Sequence, residues 1–389
     1  MNPSVERLAA LLGYIDGLSY WKAFFAPRYE IAVAGATASV QAWCQELLLN
    51  GMAECAYRNN LLHELQACRV EFDTIYRAGA RGTLGPQQEK RYDNDLLLFS
   101  SGKDSLATRL YVERLGGRLG LIDYKWGWDD IEARSTNDTE GAEYEINIRR
   151  QLDAKLRELN VTGVINGHVP FSAYLGLAGV VAAEACDAST VLAGNTRSDD
   201  EPNVRVDDWL INHQWSKSLK FELGFRALLA DLGAEAQYEC PLRPFFELQV
   251  IKFLMDHRVD LGRLRTCNRV EVGWCGQCAK CLWVFVALAA LTGDHETERI
   301  LGFRPTATEY TLEALSAMAG IDDIERPFEC TGTTLEVRTA LGCIYTWLLP
   351  EGKLRSFSEQ WAVQYPLDRI LANRGPQATS VRHKIELLN

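Results

Sequence analysis

Apolar residues at positions 5, 8, 11, 12 and 15 (Val5, Leu8, Leu11, Leu12 and Ile15) recur at helical spacing, so the chain opens on a helix. A short strand is expected over 29–33, after Pro27, and a helix over 40–49 that stops at Asn50-Gly51. The stretch 79–91, with Gly82, Gly85, Pro86 and several charges, reads as a loop and a boundary. Beyond it the pattern alternates. Strands are expected over 96–99, 119–124, 161–166 and 190–193, and helices over 104–115, 143–159 and 173–188. That alternation predicts an α/β protein with a parallel sheet. Apolar runs over 175–183 and 282–291 are too short to cross a bilayer and read as core helices, and a further helix is expected over 311–318. The residues from about 375 onward are polar and expected to fray.

Three regions follow from the pattern: an N-terminal α+β domain over 1–90, an α/β nucleotide-binding domain over 91–265, and a metal-stapled, mostly helical region over 266–389. A chain of 389 residues, 47% hydrophobic, is long enough for several cores. Its net charge of −11 opposes a nucleic-acid surface, which needs a basic face to replace counterions, so an anionic substrate must be met by local Lys and Arg groups. Charged residues interrupt any leader-like start, no membrane span is indicated, and a cytoplasmic location is expected. Eleven cysteines, an odd number with four gathered late in the chain, point to reduced thiols and a metal rather than a disulfide framework.

The strand over 96–99 runs into Ser100-Ser101-Gly102-Lys103-Asp104-Ser105 and then a helix. A helix start offers N–H groups without intrahelical partners, and small residues let the main chain approach an anion closely. Three serine hydroxyls and the Lys103 charge add to that. The spacing is not that of a Walker loop. It resembles the Ser-Gly-Gly-x-Asp-Ser loop of the PP-loop ATP pyrophosphatases, with Ser101 where that pattern has its first Gly. The resemblance implies an adenine nucleotide alpha hydrolase-like core that cleaves ATP between the α and β phosphates.

In parallel sheets ligands sit beyond the carboxyl ends of the strands. The residues there are Asp123, which can accept from a ribose hydroxyl or an adenine amine; Tyr124 and Trp126, which can stack on a base; His168; and Asn195 and Arg197. The stretch 212–218 is rich in hydrogen-bonding side chains: Asn212, His213, Gln214, Ser216, Lys217 and Ser218. It reads as a substrate loop or as a polar turn with a serine helix cap. Cys267, Cys275, Cys278 and Cys281 are spaced Cys-x7-Cys-x2-Cys-x2-Cys, with Gly276 suited to a tight knuckle. Four thiolates close a structural zinc shell; an iron–sulfur cluster or buried free thiols are the alternatives.

Several segments together resemble one family, from about residue 14 to about residue 345. They are residues 18–23 and 56–59, the Ser-Gly-Lys-Asp-Ser loop, 167–170, 212–218, 242–244, the cysteine cluster and 327–330. The resemblance is to the UDP-N-acetylmuramoyl-L-alanyl-L-glutamate epimerases of peptidoglycan synthesis. It implies an ATP- and magnesium-dependent isomerase that inverts the terminal L-glutamate of a nucleotide-linked dipeptide through an acyl-adenylate. On that reading Ser100, Ser101, Gly102, Lys103, Asp104, Ser105 and Asp123 hold ATP. His168, Asn195, Arg197, Gln214, Ser216 and Arg243 hold substrate, and His213, Lys217 and Cys330 are candidates for proton transfer. The alternatives are an amidating enzyme of the 7-cyano-7-deazaguanine synthase type and a nucleotide-binding module without catalysis.

Overall fold

The computed structural model describes residues 3–33, 36–72, 92–128, 142–264, 266–267, 269–270, 273–322 and 324–373. The expected linker over 79–91 and the tail from 375 lie outside the described residues. Two compact units emerge, one of Met1–Ser100, Tyr111–Ala193 and Trp215–Cys240, the other of Ser101–Leu110, Gly194–Gln214 and Pro241–Asn389. The chain therefore passes between them five times, three of these passages falling just after a strand of the main sheet.

In the first unit, helix α1 (Pro3–Trp21) buries Leu8, Leu11, Ile15 and Leu18, the stripe that the spacing predicts. Strands β1 (Arg28–Ile31) and β2 (Arg69–Phe72) pair in parallel. Between them come α2 (Ala38–Gly51), α3 (Ala53–Arg58) and α4 (Leu62–Ala67). The Thr37 hydroxyl caps α2 by accepting from the Val40 N–H.

Strand β3 (Tyr92–Phe99) leads into α5 (Lys103–Arg114), β4 (Leu119–Trp128) and β5 (Tyr144–Leu152). Then come α6 (Ala154–Val161), α7 (Phe171–Cys186) and β6 (Ala188–Leu192). After a passage through the second unit, which contributes the hairpin of β7 (Val204–Val206) and β8 (Trp209–Ile211), the chain returns as α8 (Leu219–Leu232) and β9 (Gln237–Glu239). The main sheet runs β5-β4-β3-β6-β9, with every pairing parallel. Leu97 of the central strand registers with Leu121 on one side and Leu192 on the other, and all three are fully buried. Burial on both faces explains the unbroken apolar run of β3.

Two expectations need correction. The charged stretch over 143–159 is not one helix: its first half is edge strand β5, in which burial alternates residue by residue from Tyr144 to Leu152, and only its second half coils as α6. An edge strand with one exposed face tolerates charges at every second position, which imitates a polar helix in composition. No strand forms over 161–166. Helix α6 runs to Val161, and Gly163 at φ +93 turns the chain away from extended geometry.

In the second unit α9 (Glu247–Asp256) and α10 (Ala279–Thr292) are followed by α11 (Asp294–Leu301), α12 (Glu309–Met318) and α13 (Thr334–Leu348). Helices α14 (Lys353–Gln364) and α15 (Leu367–Ala372) complete it. Leu282, Trp283, Phe285 and Leu288 of α10 are sealed from solvent, and α13 packs on α10 with Val337, Leu341 and Ile344 buried. Among the described residues no helix is long and apolar enough to cross a membrane.

Candidate functional site

Sheet topology marks one place on the fold. From β3 the chain adds β4 and β5 on one side, then returns to lay β6 and β9 on the other, so the strand order reverses between β3 and β6. In open α/β sheets the usual ligand position is beyond the carboxyl ends of the strands at such a reversal. The loops that leave here are 100–105 and 193–197.

In the first loop Ser101 adopts φ +54, the left-handed region that a glycine enters without cost. The structure thus holds Ser101 in a conformation that glycine adopts more easily than serine. Helix α5 starts at Lys103, so its first-turn N–H groups open on the loop. Ser105 Oγ donates to the Gly102 carbonyl at 3.1 Å and Thr108 Oγ1 to the Asp104 carbonyl at 2.8 Å, which fixes the turn. In the second loop Gly194 lies so close that a Cβ there would meet the Asp104 carbonyl carbon and oxygen at 2.8 Å. Only glycine lets the two loops approach in this way.

Lys103 is 4% exposed and points inward. Its Nζ lies 2.8 Å from Asp104 and 3.0 Å from Glu247 Oε1. Burial alone would lower the pKa of this ammonium, but the two carboxylates outweigh that and hold it above the ordinary lysine range. Glu247, also buried, accepts on Oε2 from Trp283 Nε1 at 2.5 Å, and its N–H donates to Ser198 Oγ at 3.0 Å. Ser198 Oγ in turn donates to Glu336 Oε2 at 2.7 Å. Glu336 also accepts from the N–H groups of Leu248 and Thr333, yet burial and the neighbouring Glu247 charge push its carboxyl up to about 7. The Lys103 charge is therefore met from within the protein, and what the loop itself presents is the start of helix α5.

Glu247, Glu336, Ser198 and Trp283 were not expected from the sequence. The Thr333-x-x-Glu336 capping box at the start of α13 was readable, and both of its bonds form. Nothing local marks Glu247, which follows two phenylalanines.

Other expected residues have definite duties in this unit. The Thr196 N–H donates to Asp199 at 2.6 Å, and Arg243, 2% exposed, donates to the Thr196 carbonyl at 2.6 Å. Arg197 lies over the Phe246 ring at 4.6 Å and reaches Asn373 at 2.9 Å. Asn195 and Gln214 are buried, and Asn212 Oδ1 accepts from the Gln214 N–H at 2.7 Å. The His213 N–H donates to Asn203 Oδ1 at 2.8 Å, while Asn203 Nδ2 donates to the Pro327 carbonyl at 2.7 Å. One asparagine thus ties the His213 backbone to the segment that carries Cys330.

The four cysteines converge. All four Sγ atoms lie within 4.8 Å of one another, with Cys275 to Cys281 at 3.7 Å and Cys278 to Cys281 at 3.5 Å. A tetrahedral ZnS4 centre with Zn–S of about 2.3 Å has S···S edges of about 3.8 Å, so this donor set fits a metal of that kind. Gly276 takes φ +70 at the knuckle, and N–H groups of Arg269 and Cys278 donate to Cys267 Sγ and Cys275 Sγ, each at 3.3 Å. No disulfide joins any of the eleven cysteines.

Ser100, Asp123, His168, Ser216 and Lys217 belong to the first unit. Asp123 ends the pairing of β4 with β3, opposite Phe99, and lies 3.5 Å from Lys125. The Trp126 side chain lies outside the described residues. Ser216 is buried and Lys217 half-buried in a single helical turn before α8, and Ser218 Oγ caps α8 by accepting from the Phe221 N–H. His168 follows no strand, contrary to expectation; it sits in the connection to α7 with Nδ1 3.9 Å from Glu54 Oε2 and lines a cavity of about 400 Å³.

These features define a parallel α/β protein with a tight anion-competent loop at its topological switch point and a four-thiolate metal knuckle in a helical C-terminal region. Residues 1–239 match the family described as the MurL N-terminal domain and residues 263–348 the one described as the MurL C-terminal domain; the chain belongs to the MurL family. Three relatives carry the name UDP-N-acetyl-alpha-D-muramoyl-L-alanyl-L-glutamate epimerase. One from a Micromonospora species is 30% identical over 386 residues, covering 96% of this chain and 80% of the relative. One from Xanthomonas oryzae pv. oryzae is 31% identical over 355 residues, and one from Salinispora tropica 30% over 359, each covering 88% of this chain and 75% of the relative.

Proposed function

We propose that this protein is an ATP-dependent epimerase that converts the terminal L-glutamate of UDP-N-acetylmuramoyl-L-alanyl-L-glutamate to D-glutamate in the supply of peptidoglycan precursors. The observation that carries the reading is a match to both parts of the MurL family, together with relatives of that name aligned over 88–96% of the chain. The loop geometry supports it independently, since a left-handed Ser101 and a helix start at Lys103 suit a phosphate chain.

The chemistry explains why ATP is needed for an inversion that changes no bond order. Removing the α-hydrogen beside a free carboxylate would place a second negative charge next to the first. Attack of that carboxylate on the α-phosphorus expels pyrophosphate and gives an acyl-adenylate whose acyl carbon no longer carries the carboxylate charge, so that a modest base can remove the α-hydrogen. A proton returned to the opposite face and hydrolysis of the anhydride then give D-glutamate and AMP. Residues 100–105 and Asp123 are assigned to the nucleotide, with magnesium entering alongside the triphosphate. His213, Lys217 and Cys330 are assigned to proton transfer, and the Asn203 bridge between the His213 and Pro327 backbones supports pairing the first with the third. His168, Asn195, Arg197, Gln214, Ser216 and Arg243 are assigned to holding substrate.

Cys267, Cys275, Cys278 and Cys281 hold zinc in this reading. A shell closed by four thiolates leaves no position for water, so the metal supplies folding rather than catalysis.

The deciding experiment is chiral analysis of the glutamate recovered after the protein has met the nucleotide-linked dipeptide, ATP and magnesium. D-glutamate formed with stoichiometric AMP is expected; recovery of L-glutamate alone would overturn the proposal.

A further inference from the structure

A second polar centre lies wholly within the first unit. A cavity of about 400 Å³ is lined by Ser19 and Lys22 from the end of α1, Arg150 and Leu152 from β5, Leu156 and Asn160 from α6, and residues 167–169 and 171. This is at the small end of ligand pockets, which run from roughly 300 to 1,000 Å³. Among the described residues its lining carries the cations Lys22 and Arg150 and no carboxylate.

The two strong cations differ in how they are satisfied. Arg150, 8% exposed, is matched by a carboxylate: its Nε lies 2.6 Å from Asp16 Oδ1, it donates to Ser19 Oγ at 2.7 Å, and its guanidinium stands 4.7 Å over the Tyr174 ring. Lys22, 7% exposed, has only neutral acceptors, Asn166 Oδ1 and the Gly167 carbonyl; among the described residues no carboxylate pairs with it. Burial pulls its pKa below the ordinary lysine value, with the Cys55 thiol opposing and Arg150 adding to the drop. An ammonium removed from water without a counter-charge is costly to keep. A second polar group is also incomplete: Asn160 Oδ1 is shielded from water and has no hydrogen-bond partner.

We propose that this cavity is an oxyanion-binding site in which Lys22, Arg150 and Ser19 hold one carboxylate of a ligand whose uncharged part lies against Leu152, Leu156 and Val169. Charge balance selects a single carboxylate over a diphosphate, because Asp16 already offsets Arg150 and one positive charge is left. The Asn160 carboxamide then accepts from a ligand N–H, as a peptide would supply. Resting on the epimerase reading, the occupant is the side-chain carboxylate of the terminal glutamate, the one that ATP does not activate.

The test uses the full-length, metal-replete protein and calorimetric titration with N-acetyl-L-alanyl-L-glutamate, N-acetyl-L-alanyl-L-glutamine and UDP. Lys22→Met keeps the length of the side chain and removes its charge. It is expected to weaken the glutamate probe by about tenfold or more, the scale of one hydrogen bond to a charged group, to leave the glutamine probe unchanged and to leave the melting temperature no lower than that of wild type. Ser19→Ala, which is smaller and leaves both cations in place, should act in the same direction. Equal affinities of wild type and both variants for all three probes would overturn the site, and a loss confined to UDP would overturn the carboxylate assignment. Wild-type protein that inverts glutamate while Lys22→Met retains both its KM and its affinity defeats this proposal alone. Loss of glutamate-probe binding in Lys22→Met, from a wild type that yields no D-glutamate, defeats the epimerase reading and leaves the site standing.

Discussion

Lys103 Nζ and Glu247 Oε1 lie 3.0 Å apart where both side chains are at most 5% exposed. Removing one partner from such a pair strands the other charge away from water, at a cost of roughly 3–5 kcal/mol. Lys103→Met should therefore destabilise strongly in urea titration. Lys103→Met/Glu247→Gln should regain part of the loss, because the double variant leaves no unmatched charge at that pair. Additive losses would show that the two side chains do not act as a unit.

Glu336 gives a dependence on pH with a definite sign. Its carboxyl is pushed up to about 7 in the fold, against an ordinary value of 4.5, so between those limits the native state holds a proton that the unfolded chain has released. Stability should fall as pH rises from about 4.5 to about 7 and level off above, by an amount on the order of 3 kcal/mol. Glu336→Gln removes this contribution. Wild type and variant should have similar urea midpoints near pH 4.5, with the variant becoming increasingly the more stable as the pH rises to about 7; a difference that does not change with pH would refute the shift.

The cysteine centre predicts metal content. One zinc per chain is expected by elemental analysis, falling to none in Cys278→Ser, with a large drop in melting temperature because thiolate-bound zinc contributes on the order of 10 kcal/mol to small folded units. A chelator should mimic the substitution. Visible absorbance with iron in place of zinc would refute the assignment.

Ser101 is held at φ +54, which costs an L-residue roughly 1–2 kcal/mol relative to glycine. Ser101→Gly is expected to raise stability by up to about 1 kcal/mol and to leave AMP formation intact, whereas Ser101→Val should lower both. Loss of stability in the glycine variant would mean that the hydroxyl matters more than the backbone.

The two halves of the reaction can be separated. His213→Ala, Lys217→Ala and Cys330→Ala should each be assayed for pyrophosphate release and for solvent-deuterium uptake at the α-carbon. A proton-transfer group should lose uptake by about 100-fold or more while release continues. Normal uptake in any one variant excludes that residue.

The sequence made these features legible to different degrees, for physical reasons. The strand–loop–helix turn and the cysteine knuckle are local: Ser100 to Ser105 and Cys275 to Cys281 carry their geometry in their spacing. The central strand was readable because two buried faces leave an unbroken apolar run, Leu96 to Phe99. Strand β5 was misread because Glu145, Asn147 and Arg149 on its exposed face hid the alternation of Tyr144, Ile146 and Ile148. Arg150, a charge at a buried position, is explained only by Asp16, more than a hundred residues earlier. Glu247 is similarly unreadable, since its reason for being buried is Lys103 and Trp283, both distant in sequence.

The five passages of the backbone between the two units have a practical corollary. Neither half can be excised as one uninterrupted piece, so a truncated clone ending near residue 240 would lack most of one unit and carry orphaned fragments of it. Domain-shuffling or separate expression of the halves should give insoluble material, whereas complementation by two co-produced fragments is feasible only if they assemble as they fold.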